Sequence, residues 1–138
     1  AEVIELAKEK GLKKAVCSSS DREQLDIVLP KVLSELGIEK HVEEFFDVTV
    51  SGEGVEHLKP APDIYLLCAE MLGVEPRECV AFEDSLVGAR SAAAAGMEVV
   101  VAPNPFSGGV REWPTRHIFS TLRKAAEDGF LERVIIGA

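Results

Sequence analysis

The sequence predicts an α/β domain built on a doubly wound parallel sheet, and three observations carry this expectation. Short, mainly apolar runs containing Val recur at residues 15–17, 45–50, 79–82 and 98–101. Between them lie longer stretches whose apolar residues repeat at helical spacing. The joins are short, and glycines at Gly11, Gly37, Gly73 and Gly96 stand where helices should stop. Strands alternating with helices across short joins stack as a parallel sheet with helices on both faces.

The elements follow in order. Val3, Ile4 and Leu6 mark an amphipathic helix over residues 2–10, stopped by Gly11. Ala15-Val16-Cys17 is the first buried strand and runs into Ser18-Ser19-Ser20-Asp21. Leu25, Val28, Leu29, Val32, Leu33 and Leu36 repeat at helical spacing up to Gly37, and Pro30 inside them predicts a kink or two shorter helices. Residues 45–50 form a second strand after a turn, and Gly52-Glu53-Gly54 a loop. Pro60-Ala61-Pro62 opens a helix over 64–72, which Gly73 closes. Residues 79–82 are a third strand, 85–95 a helix of small residues ended by Gly96, and 98–101 a fourth strand. Beyond Pro103 come a Gly/Pro-rich loop, a helix over 120–128 and the apolar run Val134-Ile135-Ile136.

A chain of 138 residues fits one domain, 1–138, large enough to bury a core. Its net charge of −9 repels nucleic acid and anionic membranes, so neither is expected as a partner. A pocket for an anionic ligand must therefore be local, made of one or two cations and backbone N–H groups. Cys17, Cys68 and Cys79 are odd in number and lack metal-ligand spacing, which reads as three buried thiols in a reducing compartment. The expected location is the cytoplasm, with an organelle left open. No secretory signal or membrane span is visible, and the chain starts without Met, which suggests that an earlier segment is missing.

In a doubly wound sheet the ligand crevice lies beyond the carboxyl ends of the strands. Ser18-Ser19-Ser20 leaves a strand and enters a helix there, where hydroxyls and free N–H groups can hold a phosphate. Helix capping by Ser20 or Asp21 is the plainer role for part of the same run. Lys59 precedes Pro60-Ala61-Pro62, which fixes the backbone behind its stem; alone it would read as a solvated charge. Glu83-Asp84 follows a buried strand, where paired carboxylates need a cation or donors. Magnesium favours such oxygen ligands, and acidic capping of the next helix is the alternative.

Four segments in order then resemble the haloacid-dehalogenase-like (HAD) hydrolase superfamily. They are Ala15-Val16-Cys17-Ser18-Ser19-Ser20, Lys59-Pro60-Ala61-Pro62-Asp63-Ile64-Tyr65, Phe82-Glu83-Asp84-Ser85-Leu86-Val87-Gly88-Ala89 and Ala95-Gly96-Met97. The similarity is closest to the β-phosphoglucomutase-like and phosphoglycolate-phosphatase-like branch and covers roughly residues 2–103. It implies a Rossmann-like core and a magnesium-dependent phosphatase or phosphomutase acting on a small phosphorylated metabolite. Ser18 would bind the transferring phosphoryl group beside the Ser19 backbone, and Lys59 would bridge phosphate and nucleophile. Asp84 would ligate Mg2+, with Glu83 supporting the metal directly or through water, and Ser85 would brace that loop.

The family's reaction uses an aspartate nucleophile followed two residues later by an acid/base aspartate, at the end of the first core strand. The aspartates here are Asp21, Asp26, Asp47, Asp63, Asp84 and Asp128, and no two stand two apart. The absent strand would be the central one, so the core is expected to be incomplete, with a gap in its sheet. Three explanations follow: a fragment, a missing N-terminal segment supplied in trans, or a sheet re-formed with residues 134–136 in the gap. Functionally, the chain is expected to be inactive without the nucleophile; the alternatives are a non-catalytic phosphate- or partner-binding relative and a bare truncation. The family's cap domain, which largely decides the substrate, would lie in the missing segment.

Overall fold

The computed structural model describes residues 7–107 and 110–120, and the backbone of 135–137. The first expected helix therefore enters only at residues 7–9, which are helical, and the helix expected over 120–128 and Val134 lie outside the described residues. The described strands are β1 (Ala15–Cys17), β2 (Val48–Val50), β3 (Val80–Glu83), β4 (Glu98–Val101) and β5 (Ile135–Gly137). They form one sheet in the order β2-β1-β5-β3-β4, and every pairing is parallel. The α-helices between them are α1 (Arg22–Glu35), α2 (Val42–Phe45), α3 (Asp63–Leu72) and α4 (Leu86–Ala94). None of the described helices is long and apolar enough to cross a membrane.

Strand alternation explains why both faces are covered. Ala15 and Cys17 join the cluster containing Ile64, Tyr65 and Cys68 of α3 and Ala89 and Ala92 of α4. Val16, between them in sequence, joins Leu25, Leu29 and Leu33 of α1 on the other face. The alanines of α4 let that helix lie close to β3 and β4. Its buried Ser91 donates to the Ala61 carbonyl at 2.6 Å, tying α4 to the loop before α3.

The structure departs from the expected elements in two places. Pro30 sits inside one uninterrupted helix, so α1 is not two shorter ones. Pro30 is exposed, and the carbonyl it deprives of a partner can bond to water, while Leu25, Leu29 and Leu33 hold the helix down on both sides of it. Phe45 and Phe46 are not strand residues: Phe45 ends α2, and β2 begins at Val48. Both rings are buried in the same cluster, edge to face at 5.0 Å, which two successive strand residues could not achieve. At the centre of the sheet, the expectations were a gap or a sheet re-formed with residues 134–136, and the structure has the second. There β5 lies between β1 and β3, with Ile136 in register with Val16 on one side and Phe82 on the other.

A strand inside a sheet uses its backbone groups on both neighbours, which distinguishes this position from an edge. Ile136→Pro is therefore expected to cost about 1–3 kcal/mol through a lost ladder bond, lowering the thermal midpoint by roughly 4 °C or more. Calorimetric melting checks this, and an unchanged midpoint would remove β5 from the interior of the sheet.

Candidate functional site

The carboxyl ends of β1 and β3 carry most of the residues singled out in the sequence. Ser18 follows β1, is buried, and donates its N–H to the Val50 carbonyl at 2.9 Å. Its hydroxyl oxygen accepts from the Ser20 N–H at 3.2 Å, folding the serine run back on itself, whereas Ser19 is exposed. Capping of α1 falls to Asp21, whose carboxylate accepts from the Gln24 N–H at 2.8 Å. The helix cap thus falls to Asp21 and leaves Ser18 and Ser19 outside it. Gly52 packs on the same loop, donating to the Ser20 carbonyl at 2.8 Å. A Cβ at Gly52 would crowd the Ser19 carbonyl and Leu58, so glycine is needed for this close approach.

Lys59 joins the two strand ends. Its ammonium donates to the Cys17 carbonyl at 3.1 Å and to Glu83 Oε1 at 2.7 Å, spanning the end of β5. The side chains of Lys59 and Glu83 are 5% and 1% exposed, so this is a buried ion pair. Such a pair persists only when its remaining bonding capacity is met. Tyr65 from α3 donates its hydroxyl to the same Oε1, and its ring centroid lies 4.9 Å from the Lys59 ammonium. The other side of the Glu83 carboxylate rests on the backbone of Gly88 in α4, where any Cβ would overlap it. No buried side-chain N or O atom lacks a partner among the described residues.

Asp84, one residue further, is exposed. Asn104 Nδ2 donates to its Oδ2 at 3.1 Å, while the Asn104 N–H and the Ser107 hydroxyl donate to its carbonyl at 3.2 and 2.7 Å. The loop after β4 therefore aims this carboxylate. Ser85 caps α4, accepting from the Gly88 N–H at 3.2 Å, and so braces the turn between Asp84 and the helix. The structure thus gives the paired carboxylates different partners: Glu83 has Lys59 and Tyr65, and Asp84 has Asn104. As a test of the metal expectation, the described residues contain no group of three or more His, Cys, Asp or Glu able to hold an ion. Asp84 fits Mg2+ as a single carboxylate ligand, since that ion takes most of its ligands from water and phosphate. A complete protein donor set is absent among the described residues.

Tyr65, Gly88, Asn104 and Ser107 were not singled out from the sequence. Asn104, between Pro103 and Pro105 just after a strand of the same sheet, occupies the kind of position where site residues gather, and that signal was readable. Of the remaining titratable groups, His57 pairs with Asp63 at 3.1 Å at the start of α3, and His117 with Glu98 at 3.4 Å. The three cysteines are buried and none forms a disulfide among the described residues. Burial, followed by the neighbouring Cys68 thiol, pushes the Cys17 thiol well above its usual range, which makes it unreactive.

Two outcomes are expected. Gly88→Ala should gain up to about 1 kcal/mol of helix propensity but expel the Glu83 carboxylate from Lys59, and breaking a buried pair costs about 3–5 kcal/mol. A net drop in urea-unfolding free energy is expected, and stabilisation would show the carboxylate lying elsewhere. Burial first, and the Glu83 charge second, push the Tyr65 hydroxyl well above the ordinary tyrosine range. Its neutral form then contributes stability below pH about 10 that is lost as pH rises through the folded value. Because this is the chain's single tyrosine, tyrosinate absorbance should appear only with loss of the circular-dichroism signal; ionisation near pH 10 in folded protein would contradict the burial.

The geometry can be set beside known proteins. The model of the haloacid dehalogenase-like hydrolase family matches residues 1–96. Protein CbbY of Rhodobacter capsulatus is 38% identical over 109 residues, covering 79% of this chain and 46% of that protein. Fructose-1-phosphate phosphatase YqaB of Escherichia coli is 48% identical over 69 residues, covering 50% of this chain and 35% of that protein. A crystal structure of a CbbY variant from Rhodobacter sphaeroides in complex with xylulose-(1,5)bisphosphate superposes with a TM-score of 0.73 at 31% identity, covering 87% of this chain and 51% of that one. The chain spans about half the length of CbbY, or less of the shorter match. With the family model matching most of its length, this chain belongs to the haloacid dehalogenase-like hydrolases.

Proposed function

We propose that this chain is the phosphate-binding core of a phosphatase or phosphomutase acting on a small phosphorylated metabolite of the sugar-phosphate class. The observation that carries the reading is the Lys59 ammonium, held between the ends of β1 and β3, with Ser18 following one strand and Asp84 the other. Ser18 and the Ser19 backbone would donate hydrogen bonds to the phosphate, and Lys59 would offset its charge in a site largely shielded from water. Asp84, aimed by Asn104, would hold Mg2+ with Glu83 acting on the site through Lys59. Bound there, the ion would supply positive charge to the phosphate oxygens. The substrate class rests on the relatives, of which one is a fructose-1-phosphate phosphatase and another was solved with xylulose bisphosphate.

Turnover is a separate matter. Covalent phosphoryl transfer needs a nucleophile at the end of the central strand. In this chain β5 has that place, and its sequence, Ile135-Ile136-Gly137, contains no carboxylate. We therefore assign phosphate binding without turnover to this chain by itself. Hydrolysis or transfer would require a segment bearing the aspartate pair, joined to it or supplied in trans. A purely non-catalytic phosphate-binding role is the second reading, favoured by the same β5 sequence.

Calorimetric titration with inorganic phosphate in magnesium buffer is expected to show binding that weakens about tenfold or more, or 1.4 kcal/mol, in Ser18→Ala and in Lys59→Ala. Wild-type protein that takes up no phosphate would end the proposal. Hydrolysis of p-nitrophenyl phosphate should be absent from this chain and appear once an upstream strand carrying Asp-x-Asp is added. If the restored protein binds phosphate without hydrolysing it, the non-catalytic reading stands.

A further inference from the structure

We propose that Tyr65 is a positioning residue for Lys59, its hydroxyl holding Glu83 in place and its ring supporting the ammonium above the sheet ends. This deepens the phosphate-binding reading and rests on it for its functional meaning. A lysine is a point charge on a flexible four-carbon stem, so its direction must be imposed from outside. Among the described residues, three groups impose it: the Cys17 carbonyl, Glu83 Oε1 and the Tyr65 ring. Two of the three are governed by Tyr65. Its hydroxyl donates to the very oxygen that accepts from Lys59, and its ring lies within cation–π range of the ammonium.

Packing alone would not ask for a tyrosine. Tyr65 is fully buried in the apolar cluster of α3, where phenylalanine would fill the same space without a polar atom to satisfy. The hydroxyl earns a partner only because Glu83 turns inward, and Glu83 turns inward only because Gly88 leaves room. Without that hydroxyl, Glu83 Oε1 loses one of the donors that fix it and can swing together with Lys59. Tyr65 thus sits beneath the pair, touching both members, and acts on phosphate only through them.

The test separates positioning from packing. In protein labelled with 15N-lysine, the Lys59 ammonium resonance, assigned by its loss in Lys59→Arg, should be sharp and slow to exchange. Tyr65→Phe, which keeps the ring, should broaden or shift it, and Tyr65→Leu should abolish it. The Lys13 ammonium, which donates to the Leu72 carbonyl at the far end of α3 at 2.6 Å, should be unchanged and reports that the helix is intact. Inorganic phosphate should bind about threefold to tenfold more weakly to Tyr65→Phe. Adding Tyr65→Phe to Glu83→Gln should weaken it no further, since both act through one link. A Lys59 signal unmoved in both variants, loss of the Lys13 signal together with it, or additive losses in the double variant would overturn the proposal. If wild-type protein binds no phosphate, the functional reading falls and the two lysine resonances still decide the role of Tyr65.

Discussion

The buried pair between Lys59 and Glu83 is the constraint on which the rest of the structure depends. Two opposite charges, 2.7 Å apart and almost without solvent, tie the loop before α3 to the end of β3. The additional bond to the Cys17 carbonyl brings in β1. Total stabilities of domains are of the order of 5–15 kcal/mol, and the uncompensated charge left by removing either partner would consume a large share. Lys59, which we propose meets the phosphate, is therefore also a structural tie, and the site cannot be altered independently of the fold around it.

Glu83 and Asp84 show how one step along the chain changes the chemistry of a carboxylate. Glu83 still belongs to β3, pairs through its backbone with Val101, and sends its side chain under the helices. Asp84 has left the strand, stands in solvent, and is oriented by the loop following the neighbouring strand. A carboxylate that is spent internally can fix a cation, whereas one held open at the surface can meet a metal or a phosphate-bound water. The same two-letter run in the sequence thus contains one carboxylate paired internally and one open to solvent.

Much of this was legible in the sequence, because apolar periodicity and glycine stops report directly on strands and helices. The bounds of β1 and β4 follow from their apolar runs, the positions of Ser18 and Asp84 from where strand ends must lie, and that of Lys59 from the prolines that follow it. What was not legible depends on tertiary contacts. Nothing local distinguishes Phe45-Phe46 in a helix end from the same pair in a strand; only the shared pocket beneath α1 decides. Pro30 looked like a break because its exposure, which makes the lost hydrogen bond cheap, is a property of the folded molecule. The division of labour between Glu83 and Asp84 required knowing that Gly88 leaves a space and that Tyr65 reaches it. The C-terminal apolar run was readable as a strand, but its place depended on the vacancy between β1 and β3.

That place has a consequence for how the molecule assembles. β1 pairs with β2, and β3 with β4, over modest separations in sequence, so each half-sheet can form early with its own helices. Within the sheet, β5 stands between the two halves and pairs with both, joining segments far apart in sequence. Contacts so distant in sequence bear the largest loop-closure entropy and form slowly. The rim where Lys59 bridges β1 and β3 thus rests on the strand pairings of longest sequence separation, the costliest in the sheet to close.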